Sequence, residues 1–191
     1  MQNADAKIPF SVWAQAQEIR KKMHALRNAQ PLQEKISASQ KITQAVLSFP
    51  EIRAAKTVFI YRSFGGEVDT SALVSALTMQ GKTVAFPSTR GQEMHAIVPK
   101  SGTFSRSPLG TEEPVDGTPL TQIDVSIIPA LACDKNKNRL GFGKGYYDRF
   151  LAQNPCFKVA ICYDFQLVSA LPTHEKDVAM NAVVTPTRVY R

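Results

Sequence analysis

Residues 139–150, RLGFGKGYYDRF, combine alternating glycines with a lysine, two tyrosines and an aspartate. The three glycines let backbone N–H groups approach an anion closely, and Lys144 adds a mobile positive charge. A helix that begins near Tyr146 would point the positive end of its dipole at the same anion. Asp148, one turn into that helix, could hold a metal ion that also contacts phosphate. The stretch therefore predicts a phosphate-binding loop.

The glycine spacing fits neither of the two common phosphate loops. A dinucleotide fingerprint needs G-x-G-x-x-G, and Tyr146 occupies the place of its third glycine. A P-loop needs Ser or Thr after its Gly-Lys pair, where this chain has Gly145. The alternative is a structural turn before an amphipathic helix, with the tyrosines in the core and Asp148 paired with Arg149 or Arg139. The residue types together favour binding over this alternative.

The composition bounds the class of protein. Of 191 residues, 43% are hydrophobic and 20% charged, which is typical of soluble globular proteins. The net charge of +7 fits nucleic-acid binding, attraction of a small polyanion, or a mildly basic solvated surface, and charge alone favours the last. Three cysteines without a C-x-x-C pair indicate reduced thiols and a cytoplasmic location. Neither a signal peptide nor a membrane span is expected, because no apolar stretch approaches the ~20 residues of a membrane helix.

Helices and strands alternate along most of the chain. After a loose leader at residues 1–10, two N-terminal helices are predicted over 11–50, separated at Pro31. Short apolar runs rich in β-branched and aromatic residues predict strands at 57–61, 83–87, 94–99, 123–133, 158–163 and 181–186. Further helices are predicted after Asp69 or Thr70 and over the run YYDRFLAQ. Residues 100–122 are predicted to form a long loop.

This alternation predicts an α/β fold with three layers, in which helices cover both faces of a mainly parallel sheet. We expect one domain of residues 1–191, with the N-terminal helical pair added to an α/β core at 57–191. Ligands of such folds bind at the carboxyl ends of the strands. That rule selects the residues that follow Tyr61, Ala132 and Tyr163.

Three segments of the sequence resemble a known protein family. Residues 127–151, IIPALACDKNKNRLGFGKGYYDRFL, are similar to the signature of the 5-formyltetrahydrofolate cyclo-ligases, also called 5,10-methenyltetrahydrofolate synthetases. Two weaker matches flank it in the family's order, SFGGEVDT at 63–70 and LPTHEKDVAMNAVVTP at 171–186. With the N-terminal helices, the resemblance spans nearly the whole chain. It implies ATP- and Mg²⁺-dependent closure of 5-formyltetrahydrofolate to 5,10-methenyltetrahydrofolate, with release of ADP and phosphate.

The resemblance also implies the site residues. The positions matching its ATP-binding residues are Arg20, Arg139, Leu140, Gly141, Phe142, Gly143, Lys144, Gly145, Tyr146 and Tyr147. The positions matching its folate-binding residues are Arg62, Glu67, Phe142, Gly143, Lys144, Gly145 and Tyr146. Asp148 and Asp177 match its magnesium-associated aspartates. In the implied catalysis, Lys144 and Arg139 offset phosphate charge, while Glu67 accepts hydrogen bonds from the pterin or acts as a general base.

The N-terminal K-x-x-L-R motif of the family matches only at its end. Ile19 and Arg20 fit, but Ala16 stands where the lysine belongs. Either Lys21 or Lys22 replaces that lysine, or this helix contributes less to ATP binding.

The same helix carries Arg20, His24 and Arg27 at i, i+4 and i+7 spacing. Such a basic face is usually solvated, but in this family context it is expected to reach the phosphates of ATP. Trp13, on the apolar stripe, is predicted to be a core residue.

Two other functions remain open from the sequence. One is an ATP-using relative with a changed substrate. The other is a basic nucleic-acid-binding module, which is disfavoured because the chain lacks interleaved aromatics and any recognised motif. The expected partner is a reduced folate, with or without a polyglutamate tail, and no nucleic acid or membrane.

Overall fold

A computed structural model describes residues 10–108 and 110–191. The predicted leader lies outside these residues, apart from Phe10, which begins the first helix. The helices are α1 (Phe10–Ala29), α2 (Leu32–Leu47), α3 (Pro50–Ala54), α4 (Ser71–Met79) and α5 (Tyr146–Gln153), with a 3₁₀ turn at Asp164–Gln166. The strands are β1 (Thr57–Ile60), β2 (Thr83–Arg90), β3 (Glu93–Pro99), β4 (Phe104–Arg106), β5 (Glu112–Pro114), β6 (Gly117–Pro119), β7 (Val125–Pro129), β8 (Ala132–Asp134), β9 (Arg139–Leu140), β10 (Phe157–Ile161), β11 (Leu167–Val168), β12 (Ala182–Val184) and β13 (Val189–Tyr190).

Among the described residues, eight strands form the central sheet, in the order β13-β12-β10-β7-β1-β2-β3-β6. The five strands from β12 to β2 pair in parallel. Antiparallel strands complete both edges. Parallel strands are buried on both faces, which explains why the apolar runs of β1, β7 and β10 do not alternate with polar residues.

Helices cover both faces of this sheet. Ile42 of α2 and Leu73 of α4 pack on one face, in the larger buried cluster. Phe150 and Leu151 of α5 pack on the other face, against Phe59 of β1. The predicted three-layer α/β fold is confirmed. The prediction of a single domain stays a prediction, although α2 contributes to the same core as the sheet.

α1 packs apart from both faces. Ala16 and Met23 contact Ala132 and Leu140 of the small sheet formed by β11, β8 and β9. The prediction that Trp13 is a core residue is wrong, since its side chain is 47% exposed. α1 meets strand ends and loops, so its buried stripe is narrower than that of a helix lying on a sheet face.

Three segment predictions need correction. Pro50 begins the short helix α3 and does not only end α2, because proline suits the first helical position. Residues 100–122 are not a structureless loop: β4 and β5 pair as a hairpin, and β6 pairs with β3. The predicted strand 123–133 divides into β7 and β8, which belong to different sheets.

Candidate active site

A cavity of about 420 Å³ lies at the carboxyl ends of β1, β2 and β7. Tyr61 and Arg62 line it after β1, Pro87 and Thr89 on β2, and Pro129 at the end of β7. The rule that ligands bind at strand ends therefore locates the cavity correctly. The same rule does not select every lining residue correctly. The residues directly after Ala132 and Tyr163 are not in the lining of the described cavity.

Every position that the family resemblance selected lies on this cavity. Its lining includes Arg20, Arg62, Glu67, Arg139, Leu140, Gly141, Phe142, Gly143, Lys144, Gly145, Tyr146, Tyr147, Asp148 and Asp177. These residues come from four separate parts of the chain, so the fold brings together what the sequence holds far apart. Their individual roles remain predictions.

The glycine stretch (residues 139–145) begins with β9 and leads directly into α5. Gly143 and Gly145 have φ angles of 88° and 67°, in the left-handed region that favours glycine. A Cβ atom at Gly143 would lie 3.1 Å from the Arg20 guanidinium carbon. Arg20 also donates from Nε to the carbonyl of Gly141 over 2.9 Å. The glycines therefore let the backbone and the Arg20 guanidinium approach each other closely.

Two cations beside the glycine stretch face the cavity. Lys144 is exposed, whereas Arg20 is partly buried. Burial lowers the pKa of the Arg20 guanidinium, and the charge of Asp177 opposes that effect. The α5 N-terminus begins directly after Gly145. Phosphate oxygens are well suited to such a combination of cations and helix N-terminus.

Arg139 forms an ion pair with Asp148. Its Nη2 lies 3.1 Å from each carboxylate oxygen, and its side chain is only 2% exposed. Its guanidinium also lies over the Tyr147 ring, 5.3 Å from the centroid. Of the alternatives left open by the sequence, pairing of Asp148 with Arg139 is the one that occurs. Both residues still line the cavity.

Asp177 reaches the same region from the loop before β12. Its Oδ2 accepts a hydrogen bond from the backbone N–H of His174 at 2.7 Å. The next residue, Val178, donates its backbone N–H to Asp148 over 3.5 Å. Within the described residues, no group of three or more His, Cys, Asp or Glu side chains could hold a metal ion. A cation here would need ligands beyond Asp148 and Asp177.

Glu67 is a buried carboxyl group on the cavity, in the loop of residues 63–67 (the Glu67 loop). Its Oε2 accepts a hydrogen bond from the Phe64 backbone at 3.1 Å, whereas Oε1 has no partner among the described residues. Burial raises the pKa of Glu67 from 4.5 to about 7, opposed by the charge of Arg27 and the bond from Phe64. The group therefore titrates near neutrality.

Two buried tyrosines hold the backbone around Glu67. The hydroxyl of Tyr163 donates to the Glu67 carbonyl, and that of Tyr61 donates to the Val68 carbonyl, each over 3.0 Å. Both tyrosines follow strands of the central sheet. From the sequence they are recognisable only as the ends of apolar runs. No residue pattern marked these bonds: Tyr163 reaches a carbonyl 96 positions away, and Tyr61 reaches Val68 through the irregular loop after β1.

The β4–β5 hairpin forms a further wall that sequence analysis missed. Glu112 binds Arg62 with an Nε–Oε2 distance of 2.8 Å, and the Arg62 guanidinium lies 4.2 Å from the Phe104 ring centroid. Glu113 accepts hydrogen bonds from the backbone and hydroxyl of Thr89 on β2. Arg62, predicted to bind folate, is thus engaged by this hairpin.

The basic face of α1 packs against the site. Arg20 contacts the glycine stretch, the His24 ring lies 5.5 Å from the Phe142 ring, and Arg27 is 1% exposed. Burial and the charge of Arg27 lower the pKa of His24. The solvated alternative for this face is wrong for Arg27.

The structure explains why alanine is suited to position 16, where the family motif has lysine. Ala16 is 6% exposed and packs in the cluster under α1, so its position belongs to the core in this chain. Lys21 and Lys22 are exposed, and neither is in the lining of the described cavity. Arg20 is the α1 side chain that reaches it.

The fold and the cavity define an α/β protein with a cavity at the carboxyl edge of its sheet. The model of the 5-formyltetrahydrofolate cyclo-ligase family matches residues 12–186. The chain belongs to this family and is an enzyme of the ligase class.

Individual relatives agree with the family match. The chain is 35% identical to the 5-formyltetrahydrofolate cyclo-ligase of Haemophilus influenzae over 176 residues, which cover 86% of this chain and 94% of the relative. It is 34% identical to that of Escherichia coli K12, covering 90% and 98%. The structure resembles the NMR structure of Aquifex aeolicus 5,10-methenyltetrahydrofolate synthetase with a TM-score of 0.82 and 32% identity, covering 92% of both chains.

Proposed function

We propose that the chain closes 5-formyltetrahydrofolate to 5,10-methenyltetrahydrofolate in a reaction that requires ATP and Mg²⁺ and releases ADP and phosphate. The observation that carries this proposal is the composition of the cavity at the strand ends. This cavity joins a glycine stretch and its cations to a buried carboxyl group. The family membership supplies the substrate class.

ATP fits the side of the cavity formed by the glycine stretch. At Gly143 and Gly145, Cβ atoms would meet the guanidinium groups of Arg20 and Arg149 at 3.1 and 2.7 Å. Glycine therefore leaves room for these cations to lie directly against the backbone of the stretch. Lys144 and Arg20 would offset phosphate charge. Arg139 would contribute more to the electrostatic potential than to direct contact, because Asp148 already binds its guanidinium.

Mg²⁺ fits the two aspartates of the site. This ion is usually bound by one or two carboxylates, with water and substrate phosphates as the other ligands. Asp148 and Asp177 supply that number. Oδ1 of Asp148 accepts from both Arg139 and Val178, whereas Oδ2 accepts from Arg139 alone and retains a further lone pair for a cation.

The folate fits the side of the cavity formed by Glu67. Its Oε1, buried and without a partner among the described residues, would accept N–H donors of the pterin. An unpaired buried oxygen costs about 1–3 kcal/mol, and binding would recover part of that cost. The second possible role, general base, is also compatible with a pKa of about 7.

When bound, ATP would supply the phosphoryl group that makes the formyl oxygen a leaving group, with Mg²⁺ offsetting its charge. The chain's own residues would position the two substrates and stabilise charge, which is most of what phosphoryl transfer requires of a protein. Lys144 and Arg20 would hold the phosphates. Glu67 would orient the pterin so that N10 of the folate faces the carbon of the formyl group on N5.

The proposal includes a reduced folate as partner, with or without a polyglutamate tail, and no nucleic acid. None of the helices formed by the described residues has the length and hydrophobicity needed to cross a bilayer. Cys133, Cys156 and Cys162 are free, which agrees with the proposed cytoplasmic location.

The test is to mix the protein with 5-formyltetrahydrofolate, ATP and Mg²⁺ and to follow the absorbance of methenyltetrahydrofolate. We expect product only when all three are present. Absence of product together with tight RNA binding would contradict the proposal and favour the nucleic-acid-binding alternative.

Lys144→Ala tests the phosphate role within that assay. We expect turnover to fall on the order of 10²–10³-fold, because one preorganised charge-stabilising group is lost. Thermal unfolding should be unchanged, since Lys144 is exposed. Lys135→Ala is the matched control, because Lys135 is also exposed but is not in the described cavity lining. An active Lys144→Ala variant would show that the role is wrongly assigned.

A further inference from the structure

Arg27 is a buried cation that the proposed mechanism does not use. Its side chain, 1% exposed, extends from α1 to the Glu67 loop. Nη2 donates to the carbonyls of Gly65 and Phe64 over 2.6 and 3.3 Å. Nε and Nη1 have no hydrogen-bond partner among the described residues. A buried charge with unmade hydrogen bonds is costly, which suggests a role beyond packing.

Glu67 complements Arg27 across the same loop. Phe64 links the two residues, because its backbone N–H donates to Glu67 while its carbonyl accepts from Arg27. Three phenols interact electrostatically with Glu67: Tyr61 after β1, Tyr147 on α5 and Tyr163 after β10. The Lys35 ammonium of α2 lies beside Gly66 of the same loop. Of the two cations, Arg27 is the one whose charge acts on Glu67. Its charge favours the ionised form of Glu67.

We propose that Arg27 is a positioning residue for folate binding: it fixes the Glu67 loop and favours the charged form of Glu67, so that the carboxylate can accept the pterin N–H groups. The inference rests on the proposed function, because it requires Glu67 to bind the folate. Arg27 itself is not in the described cavity lining and acts through Glu67.

The geometry at position 27 requires an arginine, and another cation such as lysine could not make the same contacts. One terminal nitrogen bonds two successive carbonyls, and the planar guanidinium lies 5.8 Å from the Phe142 ring centroid. Lysine would retain the charge without this planar contact, and methionine would retain apolar volume without charge. The two substitutions therefore separate charge from shape.

The inference has a consequence for pH dependence. The pKa of Glu67 is about 7 with Arg27 present, and burial alone would hold it higher. In the native chain the KM for folate should fall as pH rises through about 7, because the carboxylate forms. Without Arg27 the same transition should occur at higher pH.

The experiment measures KM for 5-formyltetrahydrofolate and for ATP between about pH 6 and pH 9, a range that includes the transition. At neutral pH, Arg27→Met should raise the folate KM about tenfold, as expected for a weakened charged hydrogen bond, and change the ATP KM less than about twofold. Its pH transition should move upward. Arg27→Lys should keep the transition near that of the native chain while raising the folate KM by a smaller factor.

Glu67→Gln provides the discriminating background. Adding Arg27→Met to Glu67→Gln should raise the folate KM by less than about twofold, because the carboxylate through which Arg27 acts is gone. Equal increases in both KM values, an unmoved pH transition, or a full additional effect in the Gln background would overturn the inference.

Two outcomes separate this inference from the proposed function. A native chain that forms no product overturns the proposed function and the inference with it. An active native chain whose Arg27→Met variant keeps its folate KM and its pH transition overturns the inference alone. If Arg27→Met does not fold, Arg27→Lys decides, since an upward shift of its pH transition equally contradicts a role based on charge.

Discussion

The glycine stretch and the Glu67 loop line the same cavity but handle charge in opposite ways. Lys144 is exposed, and the backbone beside it is open because of its glycines. Glu67 is buried among tyrosines, with one oxygen unpaired among the described residues. In the first region the Lys144 charge costs little because it is hydrated, and the buried Arg139 charge is paired with Asp148. In the second, charge is costly and depends on its neighbours.

This contrast predicts which solution condition, ionic strength or pH, should affect ligand binding at each side of the cavity. Salt screens interactions between exposed charges and affects buried ones much less. Burial, in contrast, moves a carboxyl pKa towards neutrality. Binding at the glycine stretch should therefore respond to ionic strength, whereas binding at the Glu67 loop should respond to pH.

The largest expected effect tests the buried charge of the glycine stretch, Arg139, which limits the contrast with the Glu67 loop. Asp148→Leu leaves the buried Arg139 charge without its partner. We expect the free energy of unfolding to fall by about 3–5 kcal/mol, measured with urea, as for other broken buried ion pairs. The double variant Arg139→Met/Asp148→Leu should recover much of this loss. A stable single variant would show that the pair is not effectively buried.

The next effect tests the charge cost at Glu67. In the folded chain its pKa is about 7, against 4.5 ordinarily, a difference worth roughly 3 kcal/mol. The native chain should lose this stability as pH rises from 4.5 to about 7, since the unfolded chain releases the proton first. Glu67→Gln should therefore be more stable than the native chain near about pH 8 by up to that amount, and equally stable in acid.

Asp124→Asn is the control of opposite sign for this measurement. Backbone N–H groups of Thr57 and Lys56 lower the pKa of Asp124. Its replacement should therefore reduce stability at neutral pH and have less effect in acid. If Glu67→Gln instead followed the same direction, Glu67 would be stabilised in its charged form, and the contrast between the two regions would fail.

The smallest effect concerns the backbone of the glycine stretch. Gly143→Ala and Gly81→Ala should each cost about 1 kcal/mol of stability, because both positions have left-handed φ angles. Only Gly143→Ala should also raise the KM for ATP, since its Cβ would approach Arg20, whereas that of Gly81 meets nothing within 4 Å. Equal ATP KM values for the two variants would show that backbone access at Gly143 is not needed.

The parts of the fold governed by local signals were predictable from the sequence. α5 spans Tyr146–Gln153, the predicted run YYDRFLAQ, because a glycine in left-handed conformation precedes an amphipathic segment. The buried parallel strands were recognisable from their apolar runs. The β4–β5 hairpin was not, because its strands are short and polar, and Thr89 on a distant strand holds it through Glu113.

The candidate site likewise combines features that local sequence predicts with features that depend on distant contacts. The glycine stretch drew attention by residue type and spacing alone. Arg27, in contrast, looked like one member of a basic helix face, and its burial depends on a loop that lies 38 positions along the chain. The neutral-range pKa of Glu67 likewise follows from burial, which composition does not encode.

α1 touches both sides of the cavity, with Arg20 bonded to Gly141 and Arg27 bonded to Gly65. Seven residues of α-helix make nearly two turns and about 10 Å of rise, so the two arginines emerge on the same side of α1 at a fixed separation. The helix therefore fixes the distance between the proposed ATP and folate positions. A single residue inserted between Arg20 and Arg27 would rotate one contact by about 100° relative to the other.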